Sequence, residues 1–241
     1  MRVLGTVLLY VGTFAPALVA LLMSVRSGNS EAALTLLARI FRGNVPVRWY
    51  LLAIGYFPAI KLASAGIHRI AIGTWPPFGD TPWYIVAAAI AVSTPVQAGE
   101  EIGWRGYALP RLAARFGVAR ASMLSGVIWA TWHFPLFLIP GVDNYGQSFT
   151  LFLIAVTALS VAMTWLYIRT NGSLLLVMLM HSVVDQTFLV IPSGNPTTTN
   201  PFALSATLVG WSTVVLLWVG ATYLLVRMRA DNTGPGAAFA S

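Results

Sequence analysis

The chain has 241 residues, 57% of them hydrophobic and 9% charged, with a mean hydropathy of +0.76. A soluble domain carries about a quarter charged residues, so a water-soluble globular protein is excluded. The absence of cysteine excludes disulfides and thiolate metal ligands, and the net charge of +7 sits on arginines beside apolar runs, which points to membrane orientation and not to nucleic acid.

Apolar runs of about 20 residues read as transmembrane segments. Lipid admits only helices or a closed barrel, and these runs are continuous, not alternating. The predicted fold is therefore all-α, a polytopic bundle of about seven spans. They cover roughly 3–23, 49–67, 82–109, 121–139, 149–168, 173–191 and 203–226. The first reads as a span and not a signal peptide, because its apolar run is long and has no clear polar cleavage region. Residues 30–42 read as an interfacial helix capped by Ser30, with Leu34, Leu37, Ala38 and Phe41 on one face and Thr35, Arg39 and Arg42 off it. A solvated connecting helix fits the same residues. Residues 231–241 are rich in Gly, Ala and small polar residues and read as a disordered tail. The expected organisation is two N-terminal helices with the interfacial helix (1–80), a core (81–191), a last helix (192–230) and the tail (231–241). No internal repeat is visible.

Arg26, Arg39, Arg42, Arg48, Arg111, Arg115, Arg120, Arg169, Arg227 and Arg229 all fall on one side of these spans. By the positive-inside rule that side is the cytoplasm. The other side holds His68, Arg69, Asp80, Asp143 and the uncharged stretch 192–201. The N-terminus is expected outside and the C-terminus in the cytoplasm. One lysine among fourteen basic residues, with abundant alanine, hints at a GC-rich bacterial genome, hence the inner (cytoplasmic) membrane.

Charge at bilayer depth is costly and marks function by default. Glu100, Glu101 and Arg105 stand together in an apolar span, His133 in the next, and His181 with Asp185 in the sixth. Glu101 and Arg105 are spaced i, i+4 and can pair; Glu100 points about 100° away and stays free. At 1.5 Å per helical residue, Glu100 lies about 16 Å from Arg111, His133 about 20 Å from Arg120 and His181 about 18 Å from Arg169. Three spans thus bring ionisable groups to one level. Such a set can activate water with a carboxylate base while imidazoles orient it or meet an oxyanion. Equally, Glu100, His133, His181 and Asp185 can form a zinc site with an open position. Either arrangement attacks a carbonyl, so peptide hydrolysis fits. There is no His-Glu-x-x-His motif and no Gly-x-Ser-x-Gly elbow, so the nucleophile is expected to be water.

Glu100-Glu101-x-x-x-Arg105, Trp129-x-x-x-His133 and His181-x-x-x-Asp185, in this order on three spans, resemble the three motifs of the CAAX protease and bacteriocin-processing (Abi) family. These are intramembrane endopeptidases related to the type II CAAX prenyl endopeptidases. The wording of 100–110 and of 132–136 strengthens the likeness, which covers roughly 81–191. The resemblance implies that Glu100 activates water held with His133, that Glu101 and Arg105 brace the site, and that His181 and Asp185 face the oxyanion. It leaves the metal requirement open. Trp129 stands where Phe is frequent, with the same aromatic role, and Asp185 where eukaryotic-type enzymes have Asn. An ionised Asp185 would repel an oxyanion, so it must be protonated, paired with His181 or bound to metal.

Lys61 lies at the same depth, about 20 Å from Arg48, and is expected to snorkel outward, with pairing to Asp185 or Glu100 as the alternative. Trp49, Trp75, Trp83 and Trp211 read as interfacial belt residues, and Trp104, Trp129 and Trp132 as packing around the site. A proton-coupled transporter and a catalytically idle immunity or binding protein are the competing functions. The transporter is disfavoured by the missing repeat, the idle protein by the intact Glu100, His133 and His181. The expected partners are the bilayer and a membrane-associated peptide, such as a leader, a bacteriocin-like precursor or a membrane-protein tail. Prenylated substrates are not expected in a bacterium.

Overall fold

The computed structural model describes residues 2–26 and 30–231, and no strand occurs among them. The cap expected from the Ser30 side chain and the tail expected over 232–241 lie outside the described residues. The helices are α1 (Arg2–Arg26), α2 (Ser30–Ala38), α3 (Val47–Ile72), α4 (Trp83–Val96), α5 (Ala98–Glu101), α6 (Leu109–Phe116), α7 (Val118–Trp132), α8 (Phe149–Arg169), α9 (Leu174–Thr187) and α10 (Leu208–Asp231). A π-helical stretch, Ile102–Ala108, joins α5 to α6, and short 3-10 turns follow α2 and α7.

The chain is a multi-pass helical membrane protein. Among the described residues, four helices are long and apolar enough to cross a membrane: Val47–Ile72, Val118–Leu138, Phe149–Arg169 and Leu208–Ala230. α8 is the central one, buried over most of its length. α7 and α10 pack on its sides, α3 bridges α9 and α10, and α4 lies along α9. Ser148 and Ser173 start α8 and α9 as N-caps, accepting from the amides of Leu151 and Leu176 at 3.1 and 3.3 Å, which satisfies donors a helix start leaves open.

Several boundaries differ from expectation. α3 runs past His68 and Arg69, which were expected in a loop, and stops at Gly73 in the left-handed conformation (φ 88°), where a Cβ would be strained. The third span is not one helix. Pro95 lacks an N–H, the run 99–106 contains three glycines, and Pro110 removes a further donor; both residue types disfavour a regular α-helix. The fourth span nearly keeps its expected extent, Val118–Leu138, but changes form: the α-helix ends at Trp132 and the segment continues as a 3-10 turn, Phe134–Leu138, where Pro135 lacks an N–H. α10 begins after Thr207, later than expected, since the Thr207 hydroxyl caps it by accepting from Gly210 N at 3.1 Å. In α2 the buried residues are Ala33 and Leu36, while Leu34 (67% exposed) and Phe41 (83%) of the expected face point away from the bundle.

α1 packs on α5 and on the π-helical stretch. A Cβ on Gly99 would come within 2.7 Å of Thr13 O, and one on Gly103 within 2.6 Å of Pro16 O. The two glycines, four residues apart on one face, let the two backbones touch, the close-packing device of membrane helices. The glutamate-bearing segment is thus held by α1 on one side and by α9 on the other.

Candidate active site

Glu100 and Glu101 close α5 and are buried. Their neighbouring positions send them to different partners. Glu101 Oε1 accepts from Arg105 Nη1 at 2.8 Å and from His181 Nδ1 at 2.8 Å. The Arg105 guanidinium is fully buried, lies 4.2 Å from the Trp129 ring centroid and reaches Ser160 Oγ and Met163 Sδ at 3.4 Å. One carboxylate therefore ties α5, the π-helical stretch and α9 together, and the pair forms despite the π-helical turn. Such a buried pair is costly to desolvate, but removing one partner costs more.

Glu100 takes a separate set. Its Oε2 accepts the Trp129 indole N–H at 2.7 Å, and its Oε1 lies 3.8 Å from His133 Nε2. His133 is the C-terminal cap of α7. Its Nδ1 lies 2.8 Å from the carbonyl oxygen of Trp129, so Nδ1 carries the proton and Nε2 presents a lone pair to Glu100. Two acceptors at 3.8 Å do not bond directly; a water between them can donate to both.

His181, one helical turn before Asp185 on α9, has Nδ1 on Glu101 and Nε2 3.9 Å from Asp185 Oδ2. The direct partner of Asp185 is the Gln97 side-chain amide, which donates to Oδ2 at 2.7 Å. Trp129 packs edge-on against both histidines, at 5.9 and 5.0 Å between ring centroids. Phe152 of α8 stands beside His133 at 5.5 Å, and Trp104 and Trp132 pack edge-on at 5.9 Å. The six site residues named from the sequence thus share one contact network.

Two contributions escaped the sequence. Gln97 stands three residues before Glu100, where α4 gives way to α5; a lone amide in an apolar span was its only signal. Trp129 is a hydrogen-bond donor to Glu100 as well as an aromatic wall, a contact that the Phe frequent at this position cannot make. Lys61 corrects the sequence reading in both its forms. It does not snorkel outward and does not pair with Asp185 or Glu100; it is fully buried and donates to Ser193 Oγ at 2.7 Å.

His181 Nδ1 is held by Glu101 and His133 Nδ1 by a backbone carbonyl, which leaves Nε2 of each ring open, an orientation that metal-ligating histidines share. Among the described residues no three His, Asp or Glu side chains are grouped so that they can hold one metal ion.

Residues 80–187 match the family described as type II CAAX prenyl endopeptidase Rce1-like. A CAAX prenyl protease 2 from Methanococcus maripaludis is 25% identical over 191 residues, which cover 72% of this chain and 68% of that protein.

Proposed function

We propose that the chain, which matches the type II CAAX prenyl endopeptidase family over residues 80–187, is an intramembrane peptidase of the CAAX protease and bacteriocin-processing kind that hydrolyses a peptide bond of a membrane-associated substrate with water activated by Glu100. The observation that carries this reading is the facing pair of Glu100 Oε1 and His133 Nε2, 3.8 Å apart, with Glu100 anchored by Trp129 and His133 by a backbone carbonyl. A water held between them donates one hydrogen to each and keeps an oxygen lone pair for the substrate carbonyl carbon. As the C–O bond forms, Glu100 takes the proton. His181, as imidazolium, keeps Nδ1–H on Glu101 and turns Nε2–H to the oxyanion. Collapse of the tetrahedral intermediate breaks the C–N bond, and the proton on Glu100 goes to the leaving amine.

We take the reaction to be metal-free, and Asp185 to orient His181 while its charge is met by Gln97. Asp185→Asn should then be tolerated, since Asn accepts the same amide hydrogen. Stoichiometric zinc in the purified protein, lost together with activity in His133→Ala, would overturn the metal-free form. We place the enzyme in the cytoplasmic membrane of a bacterial cell.

The test is a proteomic comparison of membranes carrying wild type and Glu100→Gln. Loss of a general base costs about 10²–10⁴-fold in rate, so an uncleaved precursor should accumulate with the variant while the protein remains inserted. Identical membrane proteomes, with both proteins expressed, would count against a peptidase. His181→Ala should impair cleavage by about 10²–10³-fold, the cost of one oxyanion donor.

A further inference from the structure

Gln97 lies outside the three motifs visible in the sequence. It sits at the break between α4 and α5 and is buried. An amide in an apolar span is costly unless its groups are paired, and this residue is engaged through both backbone and side chain. Its backbone carbonyl accepts the amide hydrogens of Glu100 at 3.1 Å and Glu101 at 2.9 Å, which ties it to the segment that carries both carboxylates. Its side chain crosses to α9 and donates Nε2–H to Asp185 Oδ2 at 2.7 Å. Four residues earlier on α4, Ser93 meets Ser182 of α9, and Ser182 in turn donates to Ile90 O at 3.0 Å. Two polar contacts thus join α4 to α9, and the serine contact keeps the helices in place whether or not Gln97 bonds.

The consequence of the Gln97 contact follows from what else the same oxygen faces. Asp185 Oδ2 lies 3.9 Å from His181 Nε2, outside hydrogen-bond reach. His181 Nδ1 is held by Glu101 at 2.8 Å, so Nε2 is the ring nitrogen left for chemistry. A carboxylate one turn along a helix from an imidazolium is placed to accept from it, and such a charge-assisted bond is among the stronger ones. A small rotation of the Asp185 side chain brings Oδ2 onto Nε2–H and closes it. Packing does not prevent that rotation, because the Asp185 side chain is 45% exposed. The bond from Gln97 does.

We infer that Gln97 is a positioning residue: by holding Asp185 off the imidazole, it keeps His181 Nε2–H free for the oxyanion formed at the substrate carbonyl. The carboxylate stays near enough to steady the imidazolium without capturing its proton. The role at the oxyanion rests on the peptidase reading; the hold of Gln97 on Asp185, and through it on His181, does not.

The chain has three histidines, so a signal from each can be followed separately. Full-length protein carrying isotope-labelled histidine is placed in liposomes and its ring nitrogens are read by solid-state NMR. His68, whose Nδ1 faces Thr74 O away from the site, is the internal control. Cleavage of a library of apolar peptides in the same liposomes is read by mass spectrometry. Gln97→Met keeps an unbranched chain of similar length and removes the donor. The His181 Nε2 signal should move towards that of a hydrogen-bonded ring, with His68 unmoved. The cleavage rate should fall by about 10²–10³-fold, the cost of one oxyanion donor, with the thermal midpoint unchanged. Gln97→Asn, one methylene too short to reach Asp185, should do the same and serves if the first variant does not insert. Gln97→Glu sets two carboxylates face to face and should be as damaging. Combining Gln97→Glu with Asp185→Asn reverses the hydrogen bond, the new amide donating to the new carboxylate, and should restore the His181 signal and most of the rate. A glutamine that merely supports the fold gives no such reciprocal rescue. Glu100-dependent cleavage at the wild-type rate in Gln97→Met, or a combined variant no better than Gln97→Glu, overturns the inference and leaves the peptidase standing. An unmoved His181 signal overturns the inference at any rate of cleavage. A His181 signal that moves in Gln97→Met and returns in the combined variant, in a protein that cleaves no peptide, supports the hold on His181 and overturns the peptidase.

Discussion

At the scale of single residues, Glu100 and Glu101 divide structure from chemistry. Glu101 Oε1 holds Arg105 and His181, each at 2.8 Å, in a fully buried setting. Arg105→Ala leaves that carboxylate facing one imidazole, and breaking a buried pair costs about 3–5 kcal/mol. Glu100→Ala removes a group whose firm bond is to an indole N–H. Arg105→Ala is therefore expected to lower folded yield and thermal midpoint more than Glu100→Ala; equal values would remove the division of roles. Trp129→Phe keeps the ring that Arg105 and the histidines pack against but deletes the donor to Glu100. Its cleavage rate should fall about 10–100-fold with the thermal midpoint little changed. A rate equal to wild type would show that the indole N–H does not position the base. The Glu101–Arg105 pair was legible from its spacing because both residues lie on one helical segment. The Trp129 bond to Glu100 and the Gln97 bond to Asp185 span 29 and 88 residues of sequence, and no local pattern carries them.

At the scale of elements, the apolar segments and their order were legible, because bilayer thickness sets a length that composition reveals. The interior of the third span was not. Its break after Val96 and its π-helical turn at Ile102–Ala108 depend on how Gly99 and Gly103 meet α1, a contact between segments far apart in sequence. π-helical turns are frequent at functional sites, and this one directly follows Glu101 and contains Arg105. Gly103→Ala puts a methyl within 2.6 Å of the Pro16 backbone, where neither helix can yield without moving the glutamates. It should cost about 1–3 kcal/mol by overpacking and reduce cleavage as well. Gly12→Ala on α1 is the control: nothing lies within 4 Å of its Cβ position, and alanine is the better helix former. Gly12→Ala should leave the thermal midpoint equal or raised. A harmless Gly103→Ala would show that close approach of α1 does not hold the site.

At the scale of the whole molecule, the two ends of the bundle are chemically distinct. At one end Arg39 Nη1 donates to the Tyr167 hydroxyl, Arg42 Nη1 to the Asn171 carbonyl, and Ser173 Oγ to the Arg42 carbonyl, at 2.6, 2.6 and 2.5 Å. This gathers the turn after α2, the end of α8 and the start of α9 beside Arg169. At the other end the loops join each other: Gly79 N bonds to Val190 O, Thr198 N to Gly146 O and Phe149 N to Pro201 O. We propose that the arginine-bearing end faces the cytoplasm, since basic residues near short loops set orientation; with the seven spans expected from the sequence, the termini would then lie on opposite sides. The chain contains no cysteine, so single replacements report without background. Asn144→Cys, between α7 and α8, should react with a membrane-impermeant maleimide in intact cells. Arg115→Cys, on α6, should react only after permeabilisation. The reverse pattern would turn the molecule over, while reaction of both in intact cells would mean that the segment between them, α7 with the 3-10 turn after it, does not cross the membrane.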